Sequence, residues 1–280
     1  MGDDTADAAG ADDDDGVHGR APRMMGGRRV AKGRGVANGG ARARVRVDGG
    51  GWRRTMDPAM THSDPASPEF WRRRWREGRC GWHKDDVNEK LRRYVGRLSP
   101  APGRRVLVPL CGASLDLGFL ADAGFEPVGV EVVEDAVARL FPGAEPDASA
   151  GTVHTRDGVT VVCGDFFACD LSPFAPFAAF YDRGALVAIP PRLREAYARR
   201  IEELVAKGAR GLVVTVAYDG PADVGPPFSV PAAEIERLFG GAFEVEVLES
   251  VPDASMPGSF ADHGVTNFSE GAYLLTRRGS

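Results

Sequence analysis

The spacing of hydrophobic positions along residues 85–276 alternates between the period of a strand and that of a helix. Short runs rich in Val, Leu and Phe predict strands, and apolar residues that recur every three or four positions predict amphipathic helices. The predicted strands are residues 105–109, 127–132, 159–163, 177–182, 211–218, 243–250 and 272–276. The predicted helices are residues 85–98, 114–123, 134–141, 191–206 and 231–239.

The order of these elements predicts an α/β fold. Strands and helices that alternate along the chain are typical of βαβ units, which build a parallel sheet with helices on both faces. Asp157-Gly158 lies between two alternating β runs and predicts a tight hairpin. Only a loop, residues 252–271, joins the last two strands, so we expect them to pair antiparallel. The sequence therefore predicts one Rossmann-like domain, residues 63–280, with a seven-stranded, mostly parallel sheet whose last strand is antiparallel.

Residues 1–62 lack this patterning and are predicted to form a disordered leader. Residues 1–16 carry seven Asp and no basic residue, and residues 17–54 carry ten Arg and Lys32 against the single Asp48. Such charge blocks repel themselves and bury too little apolar surface to offset the entropy of ordering. Three interpretations stay open: an unstructured extension before a later start at Met24, Met25, Met56 or Met60; an organelle transit peptide; and a basic arm for nucleic acid or a membrane surface.

The composition of the remaining chain restricts its partners. Residues 55–280 carry 24 basic and 32 acidic residues, a net charge of −8, so nucleic acid is not expected as the main partner. No run approaches the ~18 apolar residues of a membrane span, and no secretory signal pattern is present. Cys80, Cys111, Cys163 and Cys169 show no metal-ligand spacing. We therefore expect reduced thiols, no bound metal, and a cytoplasmic monomer unless the leader directs it to an organelle.

Two residues near the ends of the first two predicted strands indicate a nucleoside cofactor. In a doubly wound sheet a ligand lies beyond the carboxyl ends of the strands, where the strand order reverses. Glu131 can accept hydrogen bonds from ribose hydroxyls there, and Gly112 lets a nucleoside approach the backbone. The GxGxxG cradle of a dinucleotide pyrophosphate is missing. A methyltransferase that binds S-adenosylmethionine is favoured, and a nicotinamide-dependent oxidoreductase is the alternative.

Six blocks of sequence, in the same order along residues 70–280, resemble the thiopurine S-methyltransferase family. The resemblance covers the predicted domain but not the leader. It implies a class I S-adenosylmethionine-dependent methyltransferase that moves a methyl group to the sulfur of a small aromatic or heterocyclic thiol. The blocks are Trp71-x3-Trp75-x2-Gly78-x3-Trp82-His83, Val108-Pro-Leu-Cys-Gly112, Gly129-Val-Glu131, Tyr181-Asp-Arg-Gly-Ala-Leu-Val-Ala-Ile189, Gly225-Pro-Pro-Phe-Ser-Val-Pro231 and Ile235-Glu-Arg-Leu-Phe-Gly240.

The resemblance also implies roles for individual residues, since the aromatic N-terminal segment of this family folds over the cofactor. Phe228, in the loop before the last predicted helix, is expected to wall the acceptor pocket. The implied contacts are Trp71 and Trp75 with the cofactor, Trp82 with the cofactor and the acceptor, Leu110 with its methionine or sugar part, Glu131 with the ribose, Gly164 and Asp165 with the adenine, Arg183 with the methionine carboxylate and the acceptor, and Arg237 with the acceptor.

Two departures from the family pattern leave the acceptor open. Members often carry Phe where this chain has Trp82, and many carry Lys where it has Ala113. Relatives of the family methylate other thiols, selenium or tellurium species, or halides, and these stay as alternatives.

The expected reaction places few demands on acid–base chemistry. The methyl group of a sulfonium is already activated, so the enzyme mainly has to align a nucleophile and exclude water. A thiol attacks as its thiolate, and cationic neighbours lower its pKa. We therefore expect Arg183 and Arg237 to favour an anionic acceptor. Asp182 is a candidate base for the thiol, or else a cap for the helix that follows it.

Overall fold

Nine strands form one mixed sheet in the residues that the computed structural model describes, which are 43–44, 64–98, 105–143, 151–252, 256 and 258–279. Their order across the sheet is β1-β4-β5-β3-β2-β6-β7-β9-β8. The strands β5, β3, β2, β6 and β7 are parallel, while β4 and β9 run antiparallel to their neighbours. The bounds are β1 (Ala43–Arg44), β2 (Arg105–Pro109), β3 (Glu126–Glu131), β4 (Thr152–Arg156), β5 (Val159–Cys163), β6 (Phe177–Arg183), β7 (Val205–Asp219), β8 (Phe243–Pro252) and β9 (Thr266–Arg277).

Helices pack on both faces of this sheet. Side chains alternate along β2, so Leu107 packs in a core with residues of α6 and α7, while Val106 and Val108 pack in a second core with residues of α2 and α3. The helices are α1 (Pro68–Arg76), α2 (Glu89–Tyr94) followed by a 3-10 turn (Val95–Leu98), α3 (Asp116–Asp122), α4 (Glu134–Leu140), α5 (Ala185–Ala188), α6 (Arg194–Leu204), α7 (Ala232–Phe239) and α8 (Gly258–Ala261). A second 3-10 turn, Pro191–Leu193, leads into α6.

The predicted fold class is confirmed, with a wider sheet than expected. The hairpin turn at Asp157 and Gly158 has positive φ at both residues, 51° and 79°, as a tight two-residue turn requires. The first arm of that hairpin, β4, joins the sheet and β1 pairs with it, which gives nine strands instead of seven. The last strand, β9, lies between β7 and β8 and is antiparallel to both, as predicted.

The predicted leader, residues 1–62, lies outside the described residues except for β1. All of the described residues belong to one compact unit, residues 39–280. None of the helices in the described ranges combines the length and the apolar content that a membrane crossing requires.

Asp182 supports the turn between β6 and α5. Its side chain is 1% exposed. One carboxylate oxygen accepts hydrogen bonds from the backbone N–H groups of Ala185 and Leu186, at 3.1 and 3.2 Å, and the other accepts the hydroxyl of Tyr197 at 2.7 Å. Asp182 therefore caps the first turn of α5 from beneath and does not line the cavity described below. This placement contradicts its expected role as a base for the acceptor thiol and agrees with the alternative, a helix cap.

Burial raises the pKa of Asp182 to about 6, although the three hydrogen bonds oppose that shift. Because the unfolded-state pKa is about 3.9, the folded protein holds more protons than the unfolded chain between these values. Ionisation of Asp182 therefore lowers the free energy of unfolding above about pH 6. Protonation of Asp182 restores that free energy as the pH falls toward 4.

We predict that Asp182→Asn, which cannot titrate, makes this effect visible. The stability of the wild type relative to the variant should increase on going from about pH 8 to about pH 5, by about 1.4 kcal/mol, because pH 5 lies about one unit below the folded pKa. Chemical denaturation of both proteins across this range measures the difference. A stability difference that stays constant with pH would mean that Asp182 does not titrate there.

Candidate active site

A cavity of about 1600 Å³ opens at the carboxyl ends of β2, β3 and β6. The chain passes from β2 to β3 on one side and later to β6 on the other, so this is the switch point of the sheet, where doubly wound folds bind ligands. The wall is completed by residues 71–90 and by the loops beside β7, β8 and β9. Ligand sites commonly measure about 300–1,000 Å³, so this cavity has room for two small molecules side by side.

Glu131 lies in this cavity with its carboxylate fixed by backbone groups. Its side chain is 6% exposed. One carboxylate oxygen accepts the N–H of Gly112 at 2.8 Å, and the other accepts the N–H of Val133 at 2.7 Å. Burial raises the pKa of Glu131, and the two N–H donors act in the opposite direction. Each oxygen keeps a lone pair for a further donor, which is the capacity that two ribose hydroxyls would use.

The loop after β2 forms part of the cavity wall. Leu110 and Gly112 both line the cavity, and both have positive φ, 47° and 57°. A Cβ added to Gly112 would lie 3.6 Å from Cζ2 of Trp75, on a backbone that side chains rarely adopt. This glycine therefore allows a sharp turn under an aromatic ring, next to the carboxylate that its own N–H holds.

The aromatic segment (residues 70–83) contains three tryptophans, and all three line the cavity. Trp75 is 4% exposed and packs against Ala113, Val133 and Ala136. The ring of Trp82 meets the rings of Trp71 and Trp75 edge to face, with centroids 5.4 and 6.4 Å apart. The wall of the cavity on this side is therefore aromatic, and its rings support one another.

Two arginines attach the aromatic segment to the rest of the fold. The guanidinium of Arg72, on α1, donates two hydrogen bonds of 3.0 Å to the carboxylate of Glu134, on α4, and a third of 3.3 Å to the carbonyl of Val132. Arg183, at the end of β6, donates to the carbonyl of Trp82 at 2.8 Å and itself lines the cavity. The segment is thus tied to both strands that flank β2.

Gly164 and Asp165 follow β5 but are not among the residues that line the cavity. The N–H of Gly164 donates to the carbonyl of Glu131 at 2.8 Å, so these residues lie beside the carboxyl end of β3. The carboxylate of Asp165 accepts the N–H of Phe167 at 2.9 Å, which organises the turn that follows. Their expected contact with adenine stays a prediction.

Two residues predicted to contact the acceptor lie elsewhere. Phe228 is buried behind the loop: its ring packs against Gly225, while Gly225, Pro226 and Pro227 line the cavity instead. The side chain of Arg237 is 50% exposed on α7 and forms ion pairs with Glu234 and Glu195 at 2.8 and 2.9 Å. It does not line the cavity. The structure therefore does not bring Phe228 or Arg237 to the wall of this cavity, and their expected acceptor contacts stay predictions.

Sequence reasoning missed most of the acceptor side of the cavity. Residues of β7 to β9 line the part that lies beyond β6, on the side of the sheet away from Glu131. Lys90 is buried there between Glu249, at 3.3 Å, and Glu270. Apolar residues from β7 to β9 and their loops also line the cavity, and these are Val214, Val216, Val224, Val251, Phe260 and Phe268. No local motif marks them, because they come from distant parts of the chain.

Within the described ranges, no group of three or more His, Cys, Asp or Glu side chains is arranged to hold a metal ion. None of the four described cysteines forms a disulfide. Cys111, in the loop after β2, is buried, and burial raises the pKa of its thiol well above the usual value. Its sulfur therefore serves as packing against Gly129 and not as a thiolate.

Solved structures with the same fold are methyltransferases. Residues of this chain superpose with a TM-score of 0.53 on 1,6-didemethyltoxoflavin-N1-methyltransferase of Burkholderia thailandensis, with bound 1,6-didemethyltoxoflavin and S-adenosylhomocysteine, at 18% identity over 86% of this chain and 97% of that one. Phosphoethanolamine N-methyltransferase 2 of Haemonchus contortus gives a TM-score of 0.52 at 13% identity over 79% of this chain and 59% of that one. At these identities the likeness establishes the fold alone.

Sequence comparison identifies the family. The family model described as thiopurine S-methyltransferase matches residues 66–278. The thiopurine S-methyltransferase of Pseudomonas fluorescens (strain SBW25) is 41% identical over 216 residues, which are 75% of this chain and 99% of that protein. The one of Pseudomonas aeruginosa (strain UCBPP-PA14) is 39% identical over 214 residues, 75% and 98% of the two chains. The chain belongs to the thiopurine S-methyltransferase family.

Proposed function

We propose that this protein transfers a methyl group from S-adenosylmethionine to the sulfur of a small aromatic or heterocyclic thiol. The observation that carries the proposal is the buried carboxylate of Glu131 in a cavity at the switch point that three tryptophans also line. The named activity of the bacterial relatives supports the same reaction.

The residues present suit the cofactor. Glu131 would hold the ribose, and the turn at Leu110 and Gly112 would let the nucleoside lie against the backbone. The rings of Trp71 and Trp75 would cover it and favour its cationic sulfur, since an aromatic face attracts a cation with about 0.5–2 kcal/mol. When bound, S-adenosylmethionine supplies an activated methyl group on a sulfonium.

The acceptor would lie beyond β6, between Arg183 and the apolar residues of β7 to β9. The guanidinium of Arg183 faces the cavity, so its charge favours the thiolate over the neutral thiol. Asp182 is buried beneath α5, which leaves it unable to take the acceptor's proton. We therefore propose that the acceptor enters as an anion, and that Arg183 is the residue that selects this form.

An apolar, aromatic wall suits this reaction for a further reason. A sulfonium and a thiolate carry opposite charges, and their products are both neutral. Removing water from the charged pair costs more free energy than removing it from the transition state, in which the charges have partly cancelled. The valines and phenylalanines of the acceptor side, together with the tryptophans, exclude water in this way.

We predict that Glu131→Gln and Glu131→Ala weaken binding of S-adenosylmethionine by at least about tenfold, because hydrogen bonds to a charged acceptor contribute about 1.5–3 kcal/mol. Isothermal titration calorimetry measures both affinities directly. Glu126→Gln is the matched control, since Glu126 lies at the other end of β3, is exposed, pairs with Arg105 and does not line the cavity. Unchanged affinity in both Glu131 variants would refute the ribose contact, and no binding by the wild type at millimolar cofactor would refute the proposed function.

Two variants test which of Arg183 and Arg237 contacts the acceptor. Arg183→Ala should lower kcat/KM for an aromatic thiol by about tenfold or more, as expected when a charge-assisted contact is lost. Arg237→Ala should stay close to the wild type, because exposed ion pairs contribute little. Transfer of a labelled methyl group measures both. Equal losses in the two variants would contradict the assignment of Arg183 to the site.

We also propose that residues 63–280 suffice for catalysis and that the charged leader serves another purpose. The family match begins at residue 66, and the site residues named above all lie after it. A chain that begins at residue 63 should therefore keep the kcat/KM of the full chain within about twofold. A change of that size in the activation free energy is well below the ~1.4 kcal/mol that corresponds to a tenfold change in rate. A large loss of turnover in a truncated chain that is still folded, judged by its circular dichroism, would show that the leader contributes to the site.

A further inference from the structure

Asp116 is a buried carboxylate in the wall of the cavity that none of the contacts above uses. It begins α3, is 3% exposed, and lines the cavity between the loop after β2 and the end of β6. Its two oxygens accept the backbone N–H of Asn88 at 2.8 Å and the hydroxyl of Tyr181 at 2.9 Å. Among the described residues it forms no ion pair.

Both partners of Asp116 are donors, so each of its oxygens accepts one hydrogen bond. Burial, and after it the charge of Asp116, raises the pKa of Tyr181 well above the usual value, so that the phenol stays protonated and donates. An ionised carboxylate out of water is costly unless a cation is near. Each oxygen of Asp116 accepts one hydrogen bond and has a lone pair for a second donor, and Asp116 lines the cavity, where a cationic group of a ligand would supply it.

The position of Asp116 relates it to Arg183. Side chains alternate along a strand, so Tyr181 and Arg183 leave the same face of β6, and Tyr181 holds Asp116 in place on that face. Asp182, between them, points to the opposite face, where Tyr197 of α6 meets it. The cavity therefore presents one anion and one cation on the α2–α3 face of β6.

The amino-acid end of S-adenosylmethionine carries the complementary charges, an ammonium and a carboxylate on one carbon. We propose that Asp116 binds the ammonium of the cofactor while Arg183 binds its carboxylate. This inference rests on the proposed function. In this role Asp116 strengthens the binding of ligands that carry an ammonium. If Asp116 only connected Asn88 to Tyr181, its loss would change the affinity for ligands with and without an ammonium by the same factor.

A pair of ligands that differ only in the ammonium tests this directly. S-adenosylhomocysteine carries it, and the deamino analogue keeps the adenosine, the thioether and the carboxylate but has hydrogen in its place. Calorimetry on the full chain should show that the wild type binds S-adenosylhomocysteine at least about tenfold more tightly, the discrimination expected for one charge-assisted pair. Equal affinities in the wild type would overturn the proposal without any variant.

The variant Asp116→Asn keeps the shape of the side chain and one acceptor oxygen. It should lose affinity for S-adenosylhomocysteine and bind the deamino analogue about as well as the wild type does, so that the ratio of the two affinities approaches one. Glu131→Gln is the matched control: it should weaken both ligands by similar factors and keep the ratio. Should Asp116→Asn fail to fold, Asp116→Glu and the wild-type comparison replace it, and the Glu variant should keep a preference for the ammonium.

The outcomes separate this inference from the proposed function. No binding of S-adenosylhomocysteine by the wild type would overturn both. Tight binding with an unchanged ratio in Asp116→Asn would leave the methyltransferase proposal standing and reduce Asp116 to a brace. The ammonium contact requires that the wild type prefer S-adenosylhomocysteine to the deamino analogue, and that the ratio of the two affinities approach one in Asp116→Asn alone.

Discussion

Glu131 places a carboxylate that is 6% exposed at the end of β3, and the N–H groups of Gly112 and Val133 hold it there. These two bonds fix more than one side chain. The bond to Gly112 sets the loop after β2 against the end of β3, and that loop carries the positive φ angles at Leu110 and Gly112. The ring of Trp75 then packs over Gly112, where only a glycine leaves the turn unstrained. The shape of the cavity around Glu131 thus follows from the two backbone hydrogen bonds that this buried carboxylate accepts.

The aromatic segment gains its position from the same region. Arg72 joins α1 to Glu134, three residues after Glu131, and Arg183 joins the carbonyl of Trp82 to the end of β6. The wall of tryptophans is therefore attached to the strands on either side of β2, above the switch point. A cationic cofactor would lie between an aromatic wall and two buried carboxylates, and its binding would tighten the contacts of both.

Local patterns in the sequence predicted the sheet, the hairpin and the cofactor side, because each depends on residues close together in the chain. The periodicity of side chains along strands and helices also explains where Asp182 and Arg237 lie. Asp182 is one residue from Tyr181 and Arg183, so it leaves the opposite face of β6. Likewise Ile235 and Phe239 are one helical turn apart and buried, which turns Arg237 toward solvent. The resemblance to a family pointed Arg237 toward the site, and the need for a base for the thiol pointed Asp182 there, whereas periodicity points both residues away.

Other parts of the site depend on contacts between distant residues. Lys90 meets Glu249 and Glu270 only because α2 packs beside β8 and β9, and Asp116 meets Tyr181 only because the first residue of α3 reaches the end of β6. No spacing in the sequence encodes these pairs. The position of Phe228 was equally hard to predict from its loop. Its ring packs against Gly225, which has no side chain, and Pro226 and Pro227 line the cavity instead.

A crystal structure of the full chain with S-adenosylhomocysteine tests the central claim most directly. We expect the ribose hydroxyls within hydrogen-bond distance of the Glu131 carboxylate, at about 2.6–3.0 Å, with the homocysteine end near Asp116 and Arg183. Adenosine bound away from Glu131, with that carboxylate still held only by Gly112 and Val133, would contradict the account.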